Sequence, residues 1–284
     1  MGERTDAAPR PLPVYDSLFR VAAPWIFLSP WILLSHRFLP PTGQEAGRGR
    51  AFIAVAPDAV VVYVAGVDLF SRSWAALRAA VAGLQDADFA RPSGCTGWLV
   101  RDLVCHLVID AQDVLITLVT PADAEPTRDA VTYWKVTDTP PTGDDPLDAL
   151  IVRLAAAYEE PWLLKFHLDD VGSAAGRAAE LADPALRVTT QDMVLTAGDY
   201  LSAYVLEWTL HHLDLIAHLP HAAGPPAEAL ARSREMLEEI VGVAFPATFS
   251  DEDVLLVGTG RRAPTDAERA ELGGLSARLP LVLG

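Results

Sequence analysis

The chain has 284 residues, of which 51% are hydrophobic, and its net charge is −16. This length and composition are sufficient for one or two domains with a buried core. The acidic balance argues against nucleic acid and anionic membranes as main partners, since both attract basic surfaces. The two cysteines, Cys95 and Cys105, do not make a disulfide framework. We therefore expect a protein of the reducing cytoplasm.

Residues 1–63 differ in pattern from the rest of the chain. Their apolar stretch at 21–34 is shorter than the ~20 residues that span a membrane, and Pro24 and Pro30 interrupt it. A signal peptide would need a short basic start and a small-residue cleavage site, and neither is clear. We interpret residues 1–63 as a poorly ordered extension, or as sequence translated from upstream of the natural start. A membrane anchor at 21–34 is the alternative.

Residues 64–222 are predicted to form a helical bundle. Apolar residues recur at i, i+3, i+4 and i+7, the spacing of one helix face. Pro146 suits a first helical turn, and Thr196 with Asp199 resembles a capping box. The segment 169–188 is interpreted as a loop. The four predicted helices cover residues 68–84, 97–119, 146–164 and 196–219. Four helices of similar length imply an antiparallel bundle.

Residues 223–284 are predicted to form a small appendage. A fifth helix is expected over 227–244, followed by a short β-like run at 253–257 and a glycine-rich turn. The chain then ends in an apolar, strand-like piece. The fold class is therefore mainly α: an antiparallel four-helix bundle with a small C-terminal α+β appendage.

Ionisable residues lie inside two otherwise apolar predicted helices. Glu207 and His211 are four residues apart and so share a helix face, and His106 lies in the apolar face of the second helix. A catalytic zinc needs three protein ligands and an open position, which these three residues could supply. Zinc is the preferred ion, with Fe²⁺, Ni²⁺ and Mn²⁺ as other candidates. The alternatives are a hydrogen-bonded Glu–His pair and a satisfied core histidine.

Two stretches together carry a family resemblance. GCTGWLVRDLVCHLVIDAQDVL resembles the W-[ST]-v-x-D-L-v-x-H-L signature of the metal-binding domain of mycothiol-dependent maleylpyruvate isomerases, in the DinB-like four-helix-bundle superfamily. DYLSAYVLEWTLHHLDLIAH resembles the same family's E-x-x-x-H-x-x-D-L run. The resemblance covers residues 64–221. It implies metal ligands at His106, Glu207 and His211.

The resemblance also implies supporting residues. Asp102 and Asp214 match motif positions that support the bundle or the ligands, and Asp214 could fix the tautomer of an imidazole; a solvated helix-face carboxylate is the alternative. Leu99 stands where the family often has Ser or Thr. Arg261 and Arg262 lie in a G-T-G-R-R turn similar to a G-x-G-R element of the family. They could pair with an anionic substrate, or form an exposed basic turn.

Family membership would imply a metal-dependent enzyme that uses mycothiol as a thiol cosubstrate. The thiolate would add to a small, anionic, unsaturated substrate, so that rotation and elimination give an isomer, or retention of the thiol gives a conjugate. This scheme needs no protein nucleophile. Residues 223–284 are shorter than the second domain of full maleylpyruvate isomerases, which leaves the substrate open. The alternative is a non-catalytic metal-binding bundle that acts through a partner. Cys105 and His212 are expected to point away from the site.

Overall fold

A computed structural model of the protein describes residues 57–283, with the exception of 138, 140, 141 and 144. The apolar stretch at 21–34 and most of the expected extension lie outside these residues. The helices are α1 (Pro57–Gly83), α2 (Val100–Leu118), α3 (Pro146–Ala156), α4 (Pro161–Leu181), α5 (Ala197–Ile216), α6 (Ala227–Val241), α7 (Asp251–Gly258) and α8 (Asp266–Leu272). Among the described residues, no helix is long and apolar enough to cross a membrane.

Four short strands complete the described secondary structure: β1 (Val136–Thr137), β2 (Arg187–Thr190), β3 (Met193–Thr196) and β4 (Val282–Leu283). They form two antiparallel pairs, β1 with β4 and β2 with β3. The β2–β3 hairpin leads directly into α5, where Thr196 Oγ1 accepts the Asp199 N–H at 3.0 Å, so the predicted cap is confirmed. The mainly α prediction is confirmed as well.

The bundle consists of α1, α2, α4 and α5, with α2 packed on α4 and α1 packed on α5. Here the sequence prediction was wrong, because it took 146–164 as the third bundle helix and 169–188 as a loop. Pro161 separates α3 from α4: proline lacks a backbone N–H and is tolerated only at a helix start. The predicted loop is largely the helix α4.

Helix α4 approaches α1 closely because its inner face carries glycine and alanine. Trp74 Nε1 donates a hydrogen bond to the carbonyl oxygen of Gly172 at 2.7 Å. A Cβ atom at Gly172 would lie 2.6 Å from Trp74 Cζ2. The ring of Trp74 in turn contacts Trp208 of α5, with centroids 3.9 Å apart. These contacts pack α1 against both α4 and α5.

The C-terminal segment is more helical than predicted. Helix α6 is confirmed, but the β-like run at 253–257 is wrong, since these residues lie in α7. Ser250 caps α7 by accepting the Asp253 N–H at 3.0 Å, and a short apolar run cannot by itself distinguish strand from helix. The strand-like end is confirmed as β4.

Candidate metal centre

Two pairs of ionisable side chains face each other between α2 and α5. His106 and Asp110 are one helical turn apart on α2, and Glu207 and His211 have the same spacing on α5. All four are buried: His106 and Asp110 are 0% exposed, His211 3% and Glu207 8%. Buried charge is costly unless it is paired or bound to a metal. The four buried side chains therefore need a partner that compensates their charge.

Donor atoms of the four side chains converge. His106 Nε2 lies 3.1 Å from His211 Nε2 and 3.2 Å from Asp110 Oδ2, while His211 Nε2 lies 3.0 Å from Glu207 Oε1. One donor atom from each residue lies within 4.8 Å of all the others. The structure thus brings the three predicted ligands together. It adds Asp110, which the sequence prediction missed although its spacing from His106 repeats that of Glu207 and His211.

These separations fit a shared divalent ion. Two donors at about 2.0–2.1 Å from one ion lie about 2.9 Å apart at a right angle and about 3.4 Å apart at the tetrahedral angle. The observed contacts of 3.0 to 3.2 Å fall between these limits. Moreover, neither oxygen of Asp110 has a hydrogen-bond partner within the described part of the chain. The donor set of imidazoles and carboxylates is one that metal ions such as zinc accept.

Without a cation, the four groups perturb one another's protonation. Burial, aided by the charge of His211, holds the pKa of His106 well below its usual value. Burial also acts to lower the pKa of His211, but the charge of Glu207 and a hydrogen bond with Asp214 outweigh it and raise that pKa well above the usual value. Burial and the charge of Glu207 raise the pKa of Asp110 well above its usual range. The raised pKa of His211 favours its imidazolium form when no metal is bound.

Asp214 contacts His211 at Nδ1, the ring nitrogen that does not face His106 and Glu207, and Arg261 in turn contacts Asp214. Asp214 Oδ2 lies 3.3 Å from His211 Nδ1, as predicted for a residue that fixes the tautomer. Arg261 donates to both oxygens of Asp214, each at 2.8 Å. Burial acts to raise the pKa of Asp214, but the charge of Arg261 and the hydrogen bond with His211 outweigh it, so the pKa is lowered. An ionised Asp214 can accept the Nδ1 proton, leaving Nε2 of His211 free to bind a metal.

Cys95 is a neighbour of the site that the sequence prediction did not select. Its Sγ lies 3.4 Å from Asp214 Oδ2 and 3.9 Å from His211 Nδ1. Burial and the charge of Asp214 raise the pKa of the Cys95 thiol to about 11. The adjacent Gly94 admits this close approach, because a Cβ there would lie 2.6 Å from Asp214 Oδ1. Cys95 is therefore a protonated thiol that donates to Asp214.

Asp102 and Arg262, which the sequence analysis also selected, lie outside the converging group. Asp102 Oδ2 accepts the backbone N–H of Leu99 at 2.8 Å, so this carboxylate caps the start of α2 instead of contacting a ligand imidazole. Arg262 pairs with Asp253 and Glu268, with closest contacts of 2.8 Å to each. Its guanidinium holds α7 and α8 together, whereas the predicted role was substrate binding.

The residues expected to point away from the site do so. His212 makes a 2.9 Å hydrogen bond with the carbonyl oxygen of Ala223. Cys105 is buried outside the converging group, and burial raises the pKa of its thiol to about 12. Trp98, also selected by the resemblance, packs against His106, with ring centroids 5.3 Å apart.

Comparison with known proteins identifies a family for the region that contains this site. No curated protein and no solved structure gives a significant match. The family model described as the mycothiol maleylpyruvate isomerase N-terminal domain matches residues 70–216, just over half of the chain. The matched region contains α2 and α5 and therefore all four converging side chains. The chain belongs to the family of mycothiol maleylpyruvate isomerase N-terminal domains.

Proposed function

We propose that the protein is a metal-dependent enzyme that uses a low-molecular-weight thiol, mycothiol, to isomerise or conjugate a small, anionic, unsaturated substrate. The observation that carries the proposal is the buried convergence of His106, Glu207 and His211 on one point between α2 and α5. These three residues would hold a divalent ion, with zinc the preferred one. When bound, the ion supplies Lewis acidity that favours the thiolate form of a thiol at the site.

The chain's own residues support an external thiol as the nucleophile. A thiolate is the reactive form of a thiol, and a high pKa keeps it scarce near neutral pH. The pKa of Cys95 is raised to about 11 and that of Cys105 to about 12. Neither thiol is suited to nucleophilic attack. A cosubstrate that brings its own sulfur is consistent with this chemistry.

Asp214 and Arg261 would act on the site through His211. Asp214 accepts the Nδ1 proton of His211 and so directs Nε2 toward Glu207 and His106. Arg261 fixes both oxygens of Asp214 and keeps them ionised. We therefore assign Arg261 to orienting Asp214, in place of the direct substrate contact that the turn motif predicted.

Metal content is the first test. Protein purified without chelator or nickel resin should contain about one ion per chain, and the His106→Ala, His211→Ala double variant should contain none. His221→Ala is the matched control, since it removes an imidazole that pairs with Asp88 at 3.2 Å, outside the cluster. A wild type that neither contains nor takes up a divalent ion would refute the proposal.

Thiol use is tested on the loaded protein. Cobalt-substituted wild type should develop a thiolate-to-cobalt absorption band when mycothiol is added, and isomerisation or conjugation of a maleylpyruvate-type substrate should require both metal and thiol. A matched thiol ether, which has no ionisable proton, is the control ligand. Metal binding without any response to thiol would favour a second candidate function, a non-catalytic metal-binding bundle.

That second candidate is a non-catalytic metal-binding bundle. Asp110 favours it, because a fourth protein ligand could close a tetrahedral zinc site as in structural zinc centres. In this case metal would stabilise the fold but no thiol would reach it. The cobalt spectrum separates the two candidates.

A further inference from the structure

We infer that Asp110 is itself a metal ligand, so that the centre has two imidazole and two carboxylate donors. This inference rests on the proposed metal centre and deepens it. The family signatures place ligands at His106, Glu207 and His211 only. The contacts of Asp110 supply the evidence for the fourth.

Asp110 is fully buried and points into the group. Its side chain is 0% exposed, and its Oδ2 lies 3.2 Å from Nε2 of His106, the nitrogen that also faces His211. Within the described residues, both of its oxygens are buried without a hydrogen-bond partner. Leaving a buried polar group unsatisfied costs about 1–3 kcal/mol, and more when the group is charged. A cation at the convergence point would satisfy this carboxylate.

In the absence of an anionic external ligand, charge balance in the buried site also favours Asp110 as a ligand. Histidine binds metals in its neutral form, so a divalent ion held by His106, His211 and Glu207 alone would leave one uncompensated positive charge. Asp214 cannot supply the missing negative charge, because Arg261 already neutralises it through two 2.8 Å contacts. The ionised carboxylates of Asp110 and Glu207 together balance the two charges of the ion.

A fourth protein donor has a consequence for chemistry at the centre. Four protein groups fill a tetrahedron, so an external ligand can bind only to an ion that accepts a fifth position. Fe²⁺ and Mn²⁺ accept five or six ligands more readily than zinc, and carboxylate donors suit Mn²⁺. The thiol-dependent function therefore depends on how firmly Asp110 is held.

The test compares two buried carboxylates of the same helix. Asp110→Asn keeps the shape of the side chain but removes its charge, while Asp113→Asn makes the same change one turn away, at a residue outside the converging group. Zinc affinity is measured by chelator competition. Loss of a direct ligand should exceed the 10–100-fold effect of an outer partner, so we expect a loss of about 100-fold or more for Asp110→Asn and an affinity close to wild type for Asp113→Asn.

A crystal structure of the zinc-loaded wild type gives a second readout that no variant's folding can affect. An Asp110 oxygen at about 2.0–2.2 Å from the ion supports the inference. An ion bound by the other three residues, with wild-type affinity in Asp110→Asn, overturns it and leaves the proposed function intact. If neither wild type nor His106→Ala binds zinc, the inference about Asp110 and the proposed function are both overturned.

Discussion

Arg261 and Asp214 form a bidentate ion pair in the interior of the protein, with Nε–Oδ1 and Nη2–Oδ2 distances of 2.8 Å. Their side chains are 8% and 2% exposed. Asp214 lies on α5 next to His211, whereas Arg261 follows α7 in the C-terminal segment. The pair therefore joins the C-terminal segment to the candidate metal centre.

Arg261→Met should lower the free energy of unfolding by about 3–5 kcal/mol, because it leaves Asp214 buried without its cation. Urea denaturation followed by circular dichroism measures the change. Arg262→Met is the matched control: the Arg262 side chain is 33% exposed, and ion pairs near the surface contribute about 1 kcal/mol or less. Equal losses in the two variants would contradict the argument. Metal affinity should fall about 10–100-fold in Arg261→Met only.

Gly172→Ala should destabilise the bundle by about 1–3 kcal/mol, the usual cost of overpacking a core. The added Cβ would lie 2.6 Å from Trp74 Cζ2 and would push α4 away from α1. Gly176→Ala is the control one turn later, where the nearest atom would be 3.7 Å away. That change should be neutral or stabilising by up to about 1 kcal/mol, since alanine favours a helix. Similar destabilisation by both variants in urea titrations would contradict the packing argument.

The sequence predicted which side chains converge better than it predicted the third helix of the bundle. His106, Glu207 and His211 could be selected because ionisable groups at helical spacing stand out among apolar neighbours. Asp110 has the same spacing from His106, but the sequence analysis did not select it, because a carboxylate alone does not reveal its burial. Only the packing of α2 against α5 shows which way it points.

Helix α4 was missed for a different reason. Its buried positions include Gly172, Ala175 and Ala179, which weaken the apolar periodicity that identifies a helix. A glycine is favourable at position 172 because the large ring of Trp74 occupies the space beside it, and that partner lies far away in the sequence. Helix α7 was predicted as a strand because its short apolar run is compatible with either structure. The cap at Ser250 favours the helix.

The ion pair between Glu268 and Arg262 should make stability depend on pH. Hydrogen bonds from Arg262, and from the backbone of Thr265, lower the pKa of Glu268 from 4.5 to about 2. A lowered pKa in the folded state stabilises the protein above the unfolded pKa, and this contribution is lost as the pH falls from about 4.5 to about 2. The melting temperature of Glu268→Gln should therefore lie below that of wild type at pH 7 and approach it near pH 2.

The control for this pH dependence is Glu180→Gln, at an exposed position near the end of α4. Its melting temperature should follow that of wild type over the same range. A difference between wild type and Glu268→Gln that stays constant from pH 7 to pH 2 would show that the ionisation of Glu268 does not contribute.

Added zinc should stabilise the wild type through the proposed site. A ligand that binds only the folded protein raises the free energy of unfolding by about 2.7 kcal/mol at a free concentration one hundred times its dissociation constant. The His106→Ala, His211→Ala variant should show no such gain, and His221→Ala should keep it. Since the chain carries a net charge of −16, surface carboxylates offer an alternative binding mode. That mode would stabilise all three proteins equally, so the double variant distinguishes a buried centre from surface binding.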